Sequence, residues 1–185
     1  MMMMKNRIKK HIRMINLPIY VFKDFHIFDK KEKKHFIDII SNDKKQYIND
    51  YGIEAFLNNN VEITSCNYTK ILYDKFLQHS QDKFRPFNLL ENNSTKCYAL
   101  MTNIDNYASV PHDHLNSSII NAVYYLSVPG GEIQFLIDDK WINYQPVENE
   151  LIIFPNYLKH NTTKNNTKEW RISINMEIMC DYKWR

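Results

Sequence analysis

The amino-acid sequence predicts a mainly β protein with flanking helices, a sandwich or barrel supported by helices from the first half of the chain. Two observations carry this reading. Stretches of the first half space their apolar residues as helices do, and from Cys97 onward the chain becomes a series of short apolar, often alternating runs separated by turn signals. A length of 185 residues fits one domain, residues 1–185, with 17–96 as helical and mixed support and 97–180 as the β core.

In chain order, LPIYVF (Leu17 to Phe22) is β-branched and aromatic and reads as a strand. FDKKEKKHFIDIISND follows. Asp29 with Glu32 forms a capping-box signature, and Phe36, Ile39 and Ile40 would share a helix face, its lysines lying in solvent. NYTKILYDKFLQHS reads as a second amphipathic helix, with helical spacing around Ile71, Leu72, Lys75, Phe76 and His79. RPFNLLENNSTK is polar and loop-like. CYALMTN, IINAVYYLSV, GEIQFLID, ELIIFP and RISINMEI are then strands, divided by VPGGE and FPNYLKHN among others.

Composition narrows the function classes. The formal charge is +3, with acids and bases interspersed, so the chain lacks the dense basic face of a nucleic-acid binder. Cys66, Cys97 and Cys180 are scattered and odd in number, which suits free thiols in a reducing, cytoplasmic setting. The basic N-terminus has no long apolar run behind it, so neither a signal peptide nor a membrane span is expected. A homodimer is left open.

Chemistry concentrates in PHDHLNSS. On an extended segment His112 and His114 project to one side and Asp113 to the other. A metal needs convergent donors, and the best further candidate is His160, just beyond the apolar run ELIIFP. His11, His26, His35 and His79 have no such company and are assigned to surface or packing. Eleven residues after His160, Arg171 opens a strand on which Arg171, Ser173 and Asn175 share one face and Ile172, Ile174 and Met176 the other. An inward arginine requires an anion, and its planar fork matches a carboxylate, with Ser173 as an extra donor.

His112-x-His114, NAVYYLSVPGGEIQF, PVENELIIFPNYLKH and Arg171-Ile172-Ser173, in this order, resemble the iron(II)- and 2-oxoglutarate-dependent oxygenases, nearest to their prolyl-hydroxylase-like branch. The resemblance covers Cys97 to Ile178. It implies a double-stranded β-helix, the jelly-roll core of the cupin-like superfamily. It also implies iron(II) held by His112 and His160, and 2-oxoglutarate gripped by Arg171, with Ser173 as helper and Tyr125 reaching the same carboxylate. Strand alternation lets only one of Tyr124 and Tyr125 face the pocket, and Tyr125 is the expected one. The usual pattern of the family is His-x-Asp. Here His114 is expected as the second ligand, giving catalytic and metal residues His112, His114 and His160. An inward-turned Asp113, or two histidines with a water, stays open.

The implied activity is a dioxygenase, a hydroxylase that consumes dioxygen and 2-oxoglutarate. Its substrate, a small molecule or a protein side chain, is not legible. Two other readings compete: a cupin-like three-histidine dioxygenase or isomerase without 2-oxoglutarate, and a non-catalytic binding module on the same barrel. Arg171 discriminates between them. The stretch DDKWINYQP is read as a loop whose Trp141 and Tyr144 either pack or line a substrate mouth.

Overall fold

The computed structural model describes residues 19–58, 66–83, 95–105 and 110–179. The described elements are β1 (Tyr20–Phe22), α1 (Lys30–Tyr51), α2 (Ile53–Asn58), α3 (Asn67–Lys83), β2 (Thr95–Thr102), β3 (Ser118–Ser127), β4 (Ile133–Ile137), β5 (Lys140–Tyr144), β6 (Leu151–Pro155), β7 (His160–Thr162) and β8 (Arg171–Met179). Leu17 and Pro18 of the first expected strand, most of the loop RPFNLLENNSTK, His11 and Cys180 lie outside the described residues.

Helix α1 begins where its capping box places it. Asp29 Oδ1 accepts from the Lys31 and Glu32 amides, both at 2.8 Å, and Glu32 Oε2 accepts from the Asp29 amide at 2.9 Å. Those bonds satisfy donors that a helix start leaves open. Phe36 and Ile40 are buried and Ile39 is half-buried. Helix α3 is present, but its buried row differs from the expected one. Thr69, Leu72, Phe76 and Ser80 are buried, while Ile71 and Lys75 are exposed. Tertiary packing selected the i, i+3 and i+4 row that meets the sheet, and Ile71 was left in solvent. His79 packs on Phe22 and Phe25, with ring centroids 4.8 and 5.1 Å apart. His35 lies edge-on to Tyr68, and His26 is exposed, as surface and packing histidines should be.

The strands form a five-stranded sheet in the order β1-β6-β3-β8-β2 and a three-stranded sheet in the order β5-β4-β7. Every pairing is antiparallel. The protein is therefore mainly β with flanking helices, its helices and its smaller sheet covering opposite faces of the larger sheet. On one face Ile120, Ala122, Tyr124, Ile174, Met176 and Ile178 meet Phe36, Ile40, Leu72 and Phe76 of the helices. On the other, Val123, Tyr125, Ile152 and Phe154 meet Ile133 and Phe135 of the small sheet. Strands covered on both sides read as continuous apolar runs, which explains ELIIFP and NAVYYL.

DDKWINYQP corrects the sequence reading. Lys140–Tyr144 is strand β5, paired with β4 across a two-residue turn at Asp138 and Asp139. Both aspartates have positive φ, 48° and 60°, the geometry of a type I′ hairpin that asparagine and glycine usually signal. Aspartate tolerates it at some cost, so the turn was not recognisable as one.

A matched pair of substitutions separates the two faces of α3. Phe76→Ala should lower unfolding free energy by about 3–5 kcal/mol in urea denaturation, and Ile71→Ala by no more than about 0.5 kcal/mol. Equal losses would show that the helix is rotated from the position described.

Candidate metal centre and anion pocket

Two segments far apart in sequence bring the histidines together. His112 and His160 form an antiparallel bridge outside the named ladders. The His112 amide donates to the His160 carbonyl at 3.1 Å, and the His160 amide donates back at 2.9 Å. The His114 amide donates to the Asn156 carbonyl at 2.8 Å, which keeps PHDH extended along the turn that precedes β7. Alternation then sends His112 and His114 to the same side.

His112, His114 and His160 form a group whose potential ligand atoms all lie within 4.8 Å of one another. Their ring centroids are 4.4–5.2 Å apart. His112 Nδ1 donates to the Val110 carbonyl at 2.7 Å and His160 Nδ1 to the Leu158 carbonyl at 3.0 Å. A carbonyl only accepts, so each of these rings keeps its Nε2 bare. His114 Nδ1 faces the Ser117 hydroxyl and a Glu177 carboxylate oxygen, each 3.5 Å away. Burial pulls the His160 pKa down to about 4, and both other histidines add to the shift against the Leu158 bond. His114 is lowered too, first by burial and with Glu177 opposing. Neutral imidazoles with free lone pairs are what a divalent metal requires. Asp113 is exposed, and its Oδ1 accepts from the Leu115 amide at 3.3 Å, so it closes its own turn.

The same cavity, about 290 Å³, reaches an anion-shaped floor. Arg171 is 3% exposed, and among the described residues it has no carboxylate partner. Its Nη1 donates weakly to the Glu132 carbonyl at 3.4 Å, while its Nε has no hydrogen-bond partner among the described residues. The guanidinium carbon lies 5.3 Å from the centre of the Tyr125 ring, and the buried Tyr125 hydroxyl interacts with that guanidinium but makes no well-formed hydrogen bond among the described residues. Burial pushes that hydroxyl up to about 12, with Arg171 opposing. Ser173 stands opposite Tyr125 in the β3–β8 register and lines the cavity. Tyr124 faces the helices instead, its hydroxyl donating to Asn149 Oδ1 at 3.1 Å. Gly131, at φ 82°, makes room for the guanidinium, since a Cβ there would come within 3.1 Å of Arg171 Nη1. Orphaned donors around a buried cation fit a carboxylate-bearing cosubstrate, and the imidazole trio fits iron.

All six expected site residues line this one cavity. Trp141 and Tyr144 do not line it. Trp141 is exposed, and Tyr144 donates to Glu150 Oε1 at 2.6 Å. The polar lining residues Tyr98, Asn121, Thr162 and Glu177 were not singled out beforehand. The alternation that picked Arg171, Ser173 and Asn175 runs on to Glu177, and the one that picked Tyr125 runs back to Asn121, so both were within reach of the same argument.

Residues 136–177, which include His160, Arg171 and Ser173, match the model of the family described as "Putative 2OG-Fe(II) oxygenase". Over that stretch the chain is similar to this family. The fold is similar to that of a Pseudomonas putida prolyl-4-hydroxylase, with TM-score 0.62 and 14% identity over 89% of this chain and 88% of that one. A prolyl 4-hydroxylase from Phytophthora capsici matches with TM-score 0.59 and 11% identity over 91% of this chain, which spans 60% of that protein. At such identities the likeness establishes the jelly-roll fold. No curated protein matches the sequence. Among the described residues, no helix is long and apolar enough to cross a membrane.

The buried Tyr125 hydroxyl has a consequence for the ligand-free protein. Tyr125→Phe removes a buried hydroxyl that makes no well-formed hydrogen bond among the described residues, so unfolding free energy should stay level or rise by about 1 kcal/mol. A loss above about 1 kcal/mol in urea denaturation would show that the hydroxyl has a protein partner after all.

Proposed function

We propose that this protein is an iron(II)- and 2-oxoglutarate-dependent dioxygenase that hydroxylates its substrate. In this reading His112, His114 and His160 hold the iron, and Arg171, Tyr125 and Ser173 hold the distal carboxylate of 2-oxoglutarate. The observation that carries it is the buried Arg171 guanidinium, its Nε without a hydrogen-bond partner among the described residues and the buried Tyr125 hydroxyl beside it, in the same cavity as three convergent imidazoles. A three-histidine enzyme working without a dicarboxylate would leave the Arg171 guanidinium to water or to a different anion.

The residues divide the work. The Val110 and Leu158 carbonyls fix the tautomers of His112 and His160, so their Nε2 lone pairs point inward without a proton to displace. Arg171 presents a fork of donors from a rigid strand, which orients a dicarboxylate along one axis toward the histidines. Phe135 and Phe154, packed 5.2 Å apart, shield the His160 side from water. His112 is exposed, so the open side of the cavity lies at His112, where a substrate would enter. When bound, iron and 2-oxoglutarate would supply the oxidising chemistry: 2-oxoglutarate loses carbon dioxide and takes one atom of dioxygen to become succinate, and the other oxygen atom enters the substrate as a hydroxyl. The substrate is a small molecule or a protein side chain, and prolyl residues are the first class to try, given the solved neighbours. The half-buried free thiols Cys66 and Cys97 support a reducing compartment.

Anaerobic titration with iron(II) and then 2-oxoglutarate tests the assignment through the visible charge-transfer band of the chelate. Arg171→Ala should weaken 2-oxoglutarate binding by at least about tenfold while iron stays bound, the loss expected for a charge-assisted carboxylate pair. An unchanged affinity removes the cosubstrate role. His160→Ala should abolish metal uptake, and iron retained at full occupancy would show that another residue is the ligand.

A further inference from the structure

We infer that Glu177 is a positioning residue for the metal centre, supplying through His114 the negative charge that three neutral imidazoles lack. The inference rests on the metal assignment above and concerns a residue that the assignment does not use.

Glu177 lies on the cavity face of β8, 3% exposed, between Asn121 of β3 and Lys96 of β2 in register. Its Oε1 accepts from the Tyr98 hydroxyl at 3.3 Å and lies 3.5 Å from His114 Nδ1. Lys96 is exposed, with its ammonium 4.9 Å from the centre of the Tyr98 ring. Among the described residues, Glu177 has no lysine or arginine salt bridge. Its near neighbours are therefore a phenol and an imidazole, which is thin compensation for a buried acid.

Two deficits meet at this contact. A divalent cation held by three imidazoles receives no anionic ligand, and the acid behind His114 has no cation. A metal bound through His114 Nε2 would place positive charge on the ring and leave its Nδ1–H facing Glu177. The carboxylate would then fix the tautomer and ring angle and make the ring a stronger donor. His112 and His160 turn their Nδ1 atoms to backbone carbonyls instead. His114 alone of the three has an acid at this position. The Ser117 hydroxyl shares the approach to Nδ1 but carries no charge.

Cobalt(II) under anaerobic conditions is the probe, with affinity read by equilibrium dialysis and ligand geometry by the visible ligand-field spectrum of the full chain. Glu177→Gln keeps the volume and removes the charge. It should raise the cobalt Kd at least about tenfold and shift the spectrum, with the melting temperature of the metal-free protein unchanged. Glu177→Asp should retain more affinity than Glu177→Gln. In a His114→Asp background the Gln change should no longer weaken binding, because Glu177 would then face a like charge. A Glu177→Gln Kd within twofold of the parent, or Gln tolerated better than Asp, overturns the inference. If Glu177→Gln does not fold, Glu177→Asp decides, with a threefold or greater loss expected and an unchanged Kd fatal. A parent chain that takes up no cobalt sinks the metal assignment itself, whereas a parent that binds beside an indifferent Gln variant sinks the Glu177 role alone.

Discussion

Two backbone hydrogen bonds between His112 and His160 hold the centre in place. The bridge ties the segment that leads into β3, the central strand of the large sheet, to the first residue of β7, an edge strand of the small sheet. Because the bonded residues are themselves the histidines, the backbone sets the side-chain geometry with little slack. His114 follows at the next inward position of the same extended segment. A site assembled from loops would need many weaker contacts to reach the same precision.

The large sheet can carry so much polarity because its other face is fully apolar. Arg171, Ser173, Asn175 and Glu177 alternate along β8 with Ile172, Ile174, Met176 and Ile178, and the aliphatic row is sealed by α1 and α3. Burial of that row offsets what the polar row costs. Arg171 Nε, the Tyr125 hydroxyl and Asn121 Nδ2 make no well-formed hydrogen bond among the described residues. The helices have no side chain among those lining the cavity, yet they make it affordable.

Much of this was legible in the residues. The capping box at Asp29 and Glu32 is a local hydrogen-bond pattern and survives any tertiary context. Inward arginine, paired histidines and the choice of Tyr125 over Tyr124 all follow from the two-residue period of a strand, once a strand is granted. What failed did so for identifiable reasons. The Asp138-Asp139 turn uses residues that only tolerate positive φ, so β5 hid inside an apparent loop. The buried row of α3 was ambiguous because Ile71 and Leu72 offer two adjacent apolar rows, and only the sheet decides between them.

By itself the sequence determined which residue types share each face of each strand, because alternation is a property of the backbone and needs no partner. It therefore carried the barrel, the candidate ligands and the arginine. Only the tertiary structure decided that His112 and His160 are direct cross-strand partners, that Asp113 turns to its own backbone, and that Glu177 stands behind His114. These are relations between segments distant in the chain, set by register and sheet packing, and no local period encodes register.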